Sequence, residues 1–193
     1  MFLEIAKKAG SIEVICGSMF SGKTEELIRR MKRAQFAKQK VAIYKPCIDV
    51  RYSEDEVVSH DAHSIPSIPI DTPVKMLDIS SDVEVVGIDE AQFFDNSIIE
   101  VVQTLANRGV REIIAGLDTD FLGKPFGPMP SLMAVAEDIQ KVHAICVKCG
   151  SPANHSHRLS KSNELVVLGE TDIYEPLCRH CYNAAIEKEK ESL

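Results

Sequence analysis

Residues 17–24 read GSMFSGKT, between the apolar run IEVIC at 12–16 and EELIRRMKRAQFAKQK at 25–40. The spacing is G-x-x-x-x-G-K-T: two glycines free of side chains, so that backbone amides can wrap an anion, then a lysine and a hydroxyl at the start of a helix. Lys23 would reach the outer phosphates of a nucleotide and Thr24 would hold Mg²⁺, while the helix presents its positive dipole end to the anion. Gly17, Ser18, Met19, Phe20, Ser21 and Gly22 complete the expected phosphate loop. What receives the phosphate is not in these eight residues.

Outward from this loop the order strand, loop, helix repeats. SIEVIC (11–16) reads as a buried strand, and Leu27, Ile28, Met31 and Ala34 recur at helical spacing. KVAIYK (40–45), VEVVGI (83–88) and REIIAGL (111–117) read as further strands. Asn96 stands where a cap would start a helix through SIIEVVQTLANR, and Gly109 where it would stop. Between 53 and 80, prolines break the pattern into short extended pieces and a brief helix near 73–78. PSLMAVAEDIQ (130–140) reads as a helix, followed by short strands bearing cysteines. The fold class expected from this order is α/β, a P-loop, mostly parallel sheet with helices on both faces. A domain boundary is expected near 141–145, where the cysteine-bearing stretch begins.

Composition narrows the class. The 193 residues carry a net charge of −7 with 45% hydrophobic and 26% charged residues, as in a globular protein able to bury its own core. Broad nucleic-acid binding, which needs many phosphate-neutralising cations, is not expected. No apolar run approaches a membrane span and MFLEIAKKAG has no leader pattern, so a cytoplasmic protein is expected.

Two further groups carry chemistry. VEVVGIDE places Asp89 and Glu90 at a strand end, where a phosphate-loop enzyme holds its metal and orients its nucleophile. Asp89 is assigned to the metal and Glu90 to a base acting on water or on a substrate hydroxyl, leaving hydrolysis and transfer both open. Cys146 and Cys149, then Cys178 and Cys181, form two C-x-x-C pairs suited to a tetrahedral, four-thiolate Zn²⁺ with no open position for water. Such an ion is structural, and it anchors the long segment between the pairs. His155, His157 and His180 read as surface residues.

In this order, GSMFSGKT, KPCIDVRY, GIDEAQFF, AGLDTDF, KPFG and the two cysteine pairs resemble the cytosolic-type (class II) thymidine kinases over about residues 11–182. The resemblance implies transfer of the ATP γ-phosphate to the 5′-hydroxyl of thymidine or deoxyuridine, with Mg²⁺ at the phosphates and structural Zn²⁺. It implies Glu90 as the general base, Lys23 and Arg51 as catalytic partners, and Asp49, Asp89 and Gln92 on the ATP–metal side. Met19, Phe93, Leu117, Phe121 and Phe126 match the apolar wall around thymine, and Ser156, Val167 and Tyr174 match base and sugar contacts on the closing loop. Without it, Asp49 and Arg51 read as a loop ion pair and the three phenylalanines as core. It also implies a RecA-like nucleotide domain over 1–143, a small zinc-ribbon-like domain with the substrate-closing loop over 144–193, a homotetramer and feedback inhibition by dTTP.

Two other classes share parts of this pattern. A zinc-bearing P-loop ATPase acting on nucleic acid would use Glu90 to activate water, but the chain is acidic and lacks a basic stripe. A regulatory nucleotide switch would not need the Asp89–Glu90 pair. A GTPase would need an NKxD segment, which is absent from the sequence.

Overall fold

The computed structural model describes residues 10–47, 56–58, 64–159 and 173–191. The elements run β1 (Ser11–Gly17), α1 (Lys23–Phe36), β2 (Val41–Pro46), β3 (Glu56–Val58), β4 (Ser64–Pro66) and β5 (Ile68–Ile70), a 3-10 turn (Pro73–Asp78), β6 (Val85–Ile88), and a second 3-10 turn (Ala91–Phe93). They continue with α2 (Ser97–Asn107), β7 (Arg111–Leu117), α3 (Met129–Val135), β8 (Asp138–Lys141), β9 (Ala144–Ile145), β10 (Pro152–Ala153), β11 (His155–Arg158), β12 (Tyr174–Leu177) and α4 (Arg179–Glu191). Asp49, Arg51 and Val167 lie outside the described residues.

Among the described residues, six strands form one sheet in the order β5-β2-β6-β7-β1-β8, parallel at every pairing. Strand periodicity sends alternate residues of β1 to opposite faces. Ile12, Val14 and Cys16 join α2 and α3 through Val102, Leu105 and Leu132, whereas Ile15 joins α1 through Leu27, Ile28 and Met31. Because both faces are covered, β6 and the middle of β7 are buried throughout, which is why they read as continuous apolar runs. β1, paired on both sides by β7 and β8, therefore delivers its C-terminal loop to a fixed place at the strand ends.

Two sequence expectations change. The helix expected over 130–140 stops at Val135, and Asp138–Lys141 is instead the sheet's edge strand beside β1. Its four exposed residues, DIQK, show no strand alternation; pairing and Arg30 hold it there. From α1, Arg30 donates to Glu13 at 2.6 Å, to Gln140 at 2.5 Å and to Asp138 at 3.4 Å. Asn96 does occupy the N-cap position of α2, but its side chain makes no capping bond; Asp95 accepts from Ser97 N at 2.8 Å. The stop at Gly109 is as expected, with a positive φ of 96°.

At the other end of β7, away from the phosphate loop, Glu112 is fully buried, and its carboxylate oxygens have no hydrogen-bond partner among the described residues. Burial pushes this carboxyl up to about 9. The native state therefore keeps a proton that the unfolded chain loses above the ordinary glutamate value, so the group costs stability progressively as pH rises from about 4.5 to about 9. Replacing Glu112 by Gln should be near neutral at about pH 5 and stabilising by about 1–3 kcal/mol at about pH 8. Denaturant melts of both proteins at the two pH values check this; a difference independent of pH would contradict it.

Candidate functional site

The loop after β1 is built as an anion cradle. Gly17 has no room for a side chain, since a Cβ would lie 2.3 Å from the Val142 carbonyl. Gly22, at φ 83°, takes the left-handed conformation that starts α1. Lys23 is buried and donates to the Ser18 carbonyl at 2.8 Å, across the loop it closes. Burial pulls its ammonium below the ordinary lysine value, and the carboxylates of Glu90, Asp89 and Asp118 oppose that, Glu90 most strongly. With Glu25, the weakest of them, four carboxylates therefore lie close enough to act on the one lysine.

Thr24 Oγ1 donates to both carboxylate oxygens of Asp89, at 3.4 and 3.3 Å. A hydroxyl and a carboxylate from the loop and the end of β6 are hard oxygen donors of the kind Mg²⁺ accepts, so the residues present fit that ion. Glu90 follows with φ 51°, a conformation that costs a non-glycine residue about 1–2 kcal/mol. Its backbone N–H donates to Asp89 at 3.0 Å.

Gln92 is buried at 2% exposure and spans two parts of the site. Its amide nitrogen donates to the Glu90 carboxylate, and its carbonyl accepts from Leu117 N at 2.9 Å. The sequence reading put Gln92 on the ATP–metal side; here its bonds tie Glu90 to the end of β7. Beyond Leu117, Phe93 meets Phe126 edge-on, ring centroids 5.8 Å apart. Phe126 is buried, while Phe93, Leu117, Phe121 and Met19 are half-buried.

The cysteine module closes on this loop. Met19 N donates to Ser156 Oγ at 3.0 Å and Ser18 Oγ to the Ala153 carbonyl at 3.4 Å. Phe20, itself at φ 62°, packs against the module's core of Ala144, Cys146, Ala153, Leu177 and Tyr182. The sulfurs of Cys146, Cys149, Cys178 and Cys181 all lie within 4.8 Å of one another, and Cys149 and Cys178 are 3.6 Å apart. That is too far for a disulfide and close to the edge, about 3.8 Å, of a tetrahedron with zinc–sulfur bonds of about 2.3 Å. The four residues fit Zn²⁺.

Of the histidines, His180 is exposed as expected, but His155 and His157 are buried at 7% and 6%. His155 stacks on Tyr182 at 4.5 Å, and His157 bridges Glu175 at 3.1 Å and Glu189 at 3.0 Å, so both are structural parts of the module. None joins the sulfurs.

A family model described as thymidine kinase matches residues 10–182. The chain belongs to the thymidine kinase family. It is 62% identical to a thymidine kinase of Bacteroides fragilis (strain YCH46), over 98% of this chain and 95% of that protein. A thymidine kinase of Bacteroides thetaiotaomicron is 64% identical over 93% of this chain and 90% of its own, and one of Rhodothermus sp. 56% over 94% and 85%. Among the described residues, no helix is long and apolar enough to cross a membrane.

Residues that sequence reading left without a role in this thymidine kinase family site are Arg158, Tyr182 and Asp118. Asp118 is buried at the end of β7 and pairs with Lys141 of β8 at 2.5 Å, spanning the end of β1 beneath the phosphate loop. Its position directly after an apolar strand was the available signal. For the metal, purified protein should contain about one zinc per chain, and Cys178→Ser should lower both zinc content and melting temperature. Full stability with no zinc bound would contradict the four-thiolate site.

Proposed function

We propose that this protein is an ATP-dependent thymidine kinase, forming dTMP from thymidine and accepting deoxyuridine as well. The observation that carries it is the position of Glu90: bound through Gln92 to Leu117 on the apolar wall, and the strongest charge acting on Lys23 on the phosphate side. A base so placed lies between an alcohol acceptor and a phosphoryl donor. Family membership supports the same reading.

In this mechanism Gly17 to Thr24 wrap the phosphates of ATP with backbone amides, and Lys23 carries its charge to the transferred group. Thr24 and Asp89 would hold Mg²⁺, which would supply charge neutralisation at the phosphate oxygens. The thymine ring lies against Met19, Phe93, Leu117, Phe121 and Phe126, with Ser156, Val167 and Tyr174 at base and sugar. Glu90 orients the 5′-hydroxyl and accepts its proton as that oxygen bonds to the γ-phosphorus and the bond to the ADP oxygen breaks. Asp49 and Arg51 act near the metal and the transferred phosphate. The segment between the cysteine pairs excludes water, so that the alcohol and not water is phosphorylated.

The proposed division is a kinase domain, 1–143, and a zinc-binding domain, 144–193, supported by the end of the main sheet at Lys141. The resemblance supports a cytoplasmic homotetramer inhibited by dTTP.

The test is purified protein with ATP, Mg²⁺ and a nucleoside panel. Formation of dTMP and dUMP, with little product from purine nucleosides, is expected; ATP hydrolysis stimulated by single-stranded DNA with no nucleoside monophosphate would overturn it. Glu90→Gln should lower kcat by about 10²–10⁴-fold while KM for ATP stays within about twofold. An equal loss of ATP affinity would contradict the base assignment.

A further inference from the structure

We infer that Arg158 is a positioning residue for the nucleoside pocket, holding Phe121 in place together with Tyr182; the inference rests on the kinase reading above and adds a determinant of nucleoside affinity to it. Arg158 ends β11 and is only 5% exposed. Its guanidinium carbon lies 3.6 Å from the centroid of the Phe121 ring. A cation held flat on an aromatic face at this distance, away from water, is an attractive contact that also blocks that face. Phe121 can then offer only its other face or its edge to a thymine ring.

The same guanidinium is also held by hydrogen bonds from its nitrogens. Arg158 and Tyr174 face each other across the β11–β12 pair, and the Tyr174 hydroxyl accepts from Arg158 Nε at 3.1 Å and Nη2 at 2.8 Å. One buried side chain therefore joins two residues assigned to the nucleoside pocket, one on the turn after β7 and one on the strand returning from the closing segment. Phe121 is also held by its backbone. Tyr182, the residue after Cys181, donates its hydroxyl to the Phe121 carbonyl at 2.8 Å. Neither clamp touches the phosphate loop or Glu90 in these contacts, so their loss should act on nucleoside binding and not on ATP.

Replacing Arg158 by Gln should raise KM for thymidine about tenfold, with KM for ATP and kcat each within about twofold. Arg158→Lys keeps the positive charge but not the forked donor, and should fall between the two. Tyr182→Phe loses one hydroxyl and keeps the ring, and should raise KM for thymidine about threefold with zinc content unchanged. Should the Gln variant fail to fold, the Lys and Phe variants decide on the same readout. An unchanged KM for thymidine, or an equal rise in both KM values, would overturn the positioning role. Absence of thymidine phosphorylation by the unaltered protein would instead overturn the kinase reading itself.

Discussion

Everything in the candidate site depends on a bond between two segments 137 residues apart, the Met19 N–H donated to the Ser156 hydroxyl. In free energy it is small, about 1 kcal/mol net. Its effect is geometric: the loop after β1 is fixed at Met19 to β11 of the cysteine module. Ser18 and Phe20 on either side make their own contacts with the module, a hydroxyl to the Ala153 carbonyl and an aromatic ring on the module's core. In the proposed mechanism, donor and acceptor pockets thus share one short stretch of backbone.

From there a continuous set of contacts runs to the four sulfurs. Cys181 is followed by Tyr182, which holds the Phe121 carbonyl, and Phe121 carries Arg158 on its ring. A cluster that with four thiolates leaves no coordination position for water would act at a distance, by ordering the strand pair and helix that hold Phe121. Glu90 completes the arrangement from the sheet side. It sits in an unfavourable backbone conformation, and its neighbours Asp89, Gln92 and Leu117 determine where its carboxylate points.

Much of this was legible in the sequence, for identifiable reasons. β1, β6 and β7 are buried on both faces and read as apolar runs, and α1 buries the expected Leu27, Ile28, Met31 and Ala34. The phosphate loop and the cysteine pairs have spacings fixed by the chemistry of phosphates and metals. β8 was missed because an exposed edge strand of DIQK has no periodicity, and only Arg30 and its pairing to β1 place it. His155 and His157 were misread as surface because burial through stacking and paired carboxylates depends on residues distant in sequence. Arg158 gave no signal for the same reason, and Gln92, which the resemblance put on the ATP–metal side, gave none of its bond to Leu117: these partners, with Phe121 and Tyr174, are brought together only by the fold.

The central claim is that one rigid frame sets the acceptor hydroxyl between Glu90 and the phosphate loop. The direct measurement is a crystal structure of the complex with thymidine and a non-hydrolysable ATP analogue. The 5′-hydroxyl should lie about 3 Å from the Glu90 carboxylate and in line with the γ-phosphorus, with the γ-phosphate at Lys23. A nucleoside bound with its 5′-hydroxyl turned away from Glu90, or outside the wall formed by Phe93, Phe121 and Phe126, would contradict it.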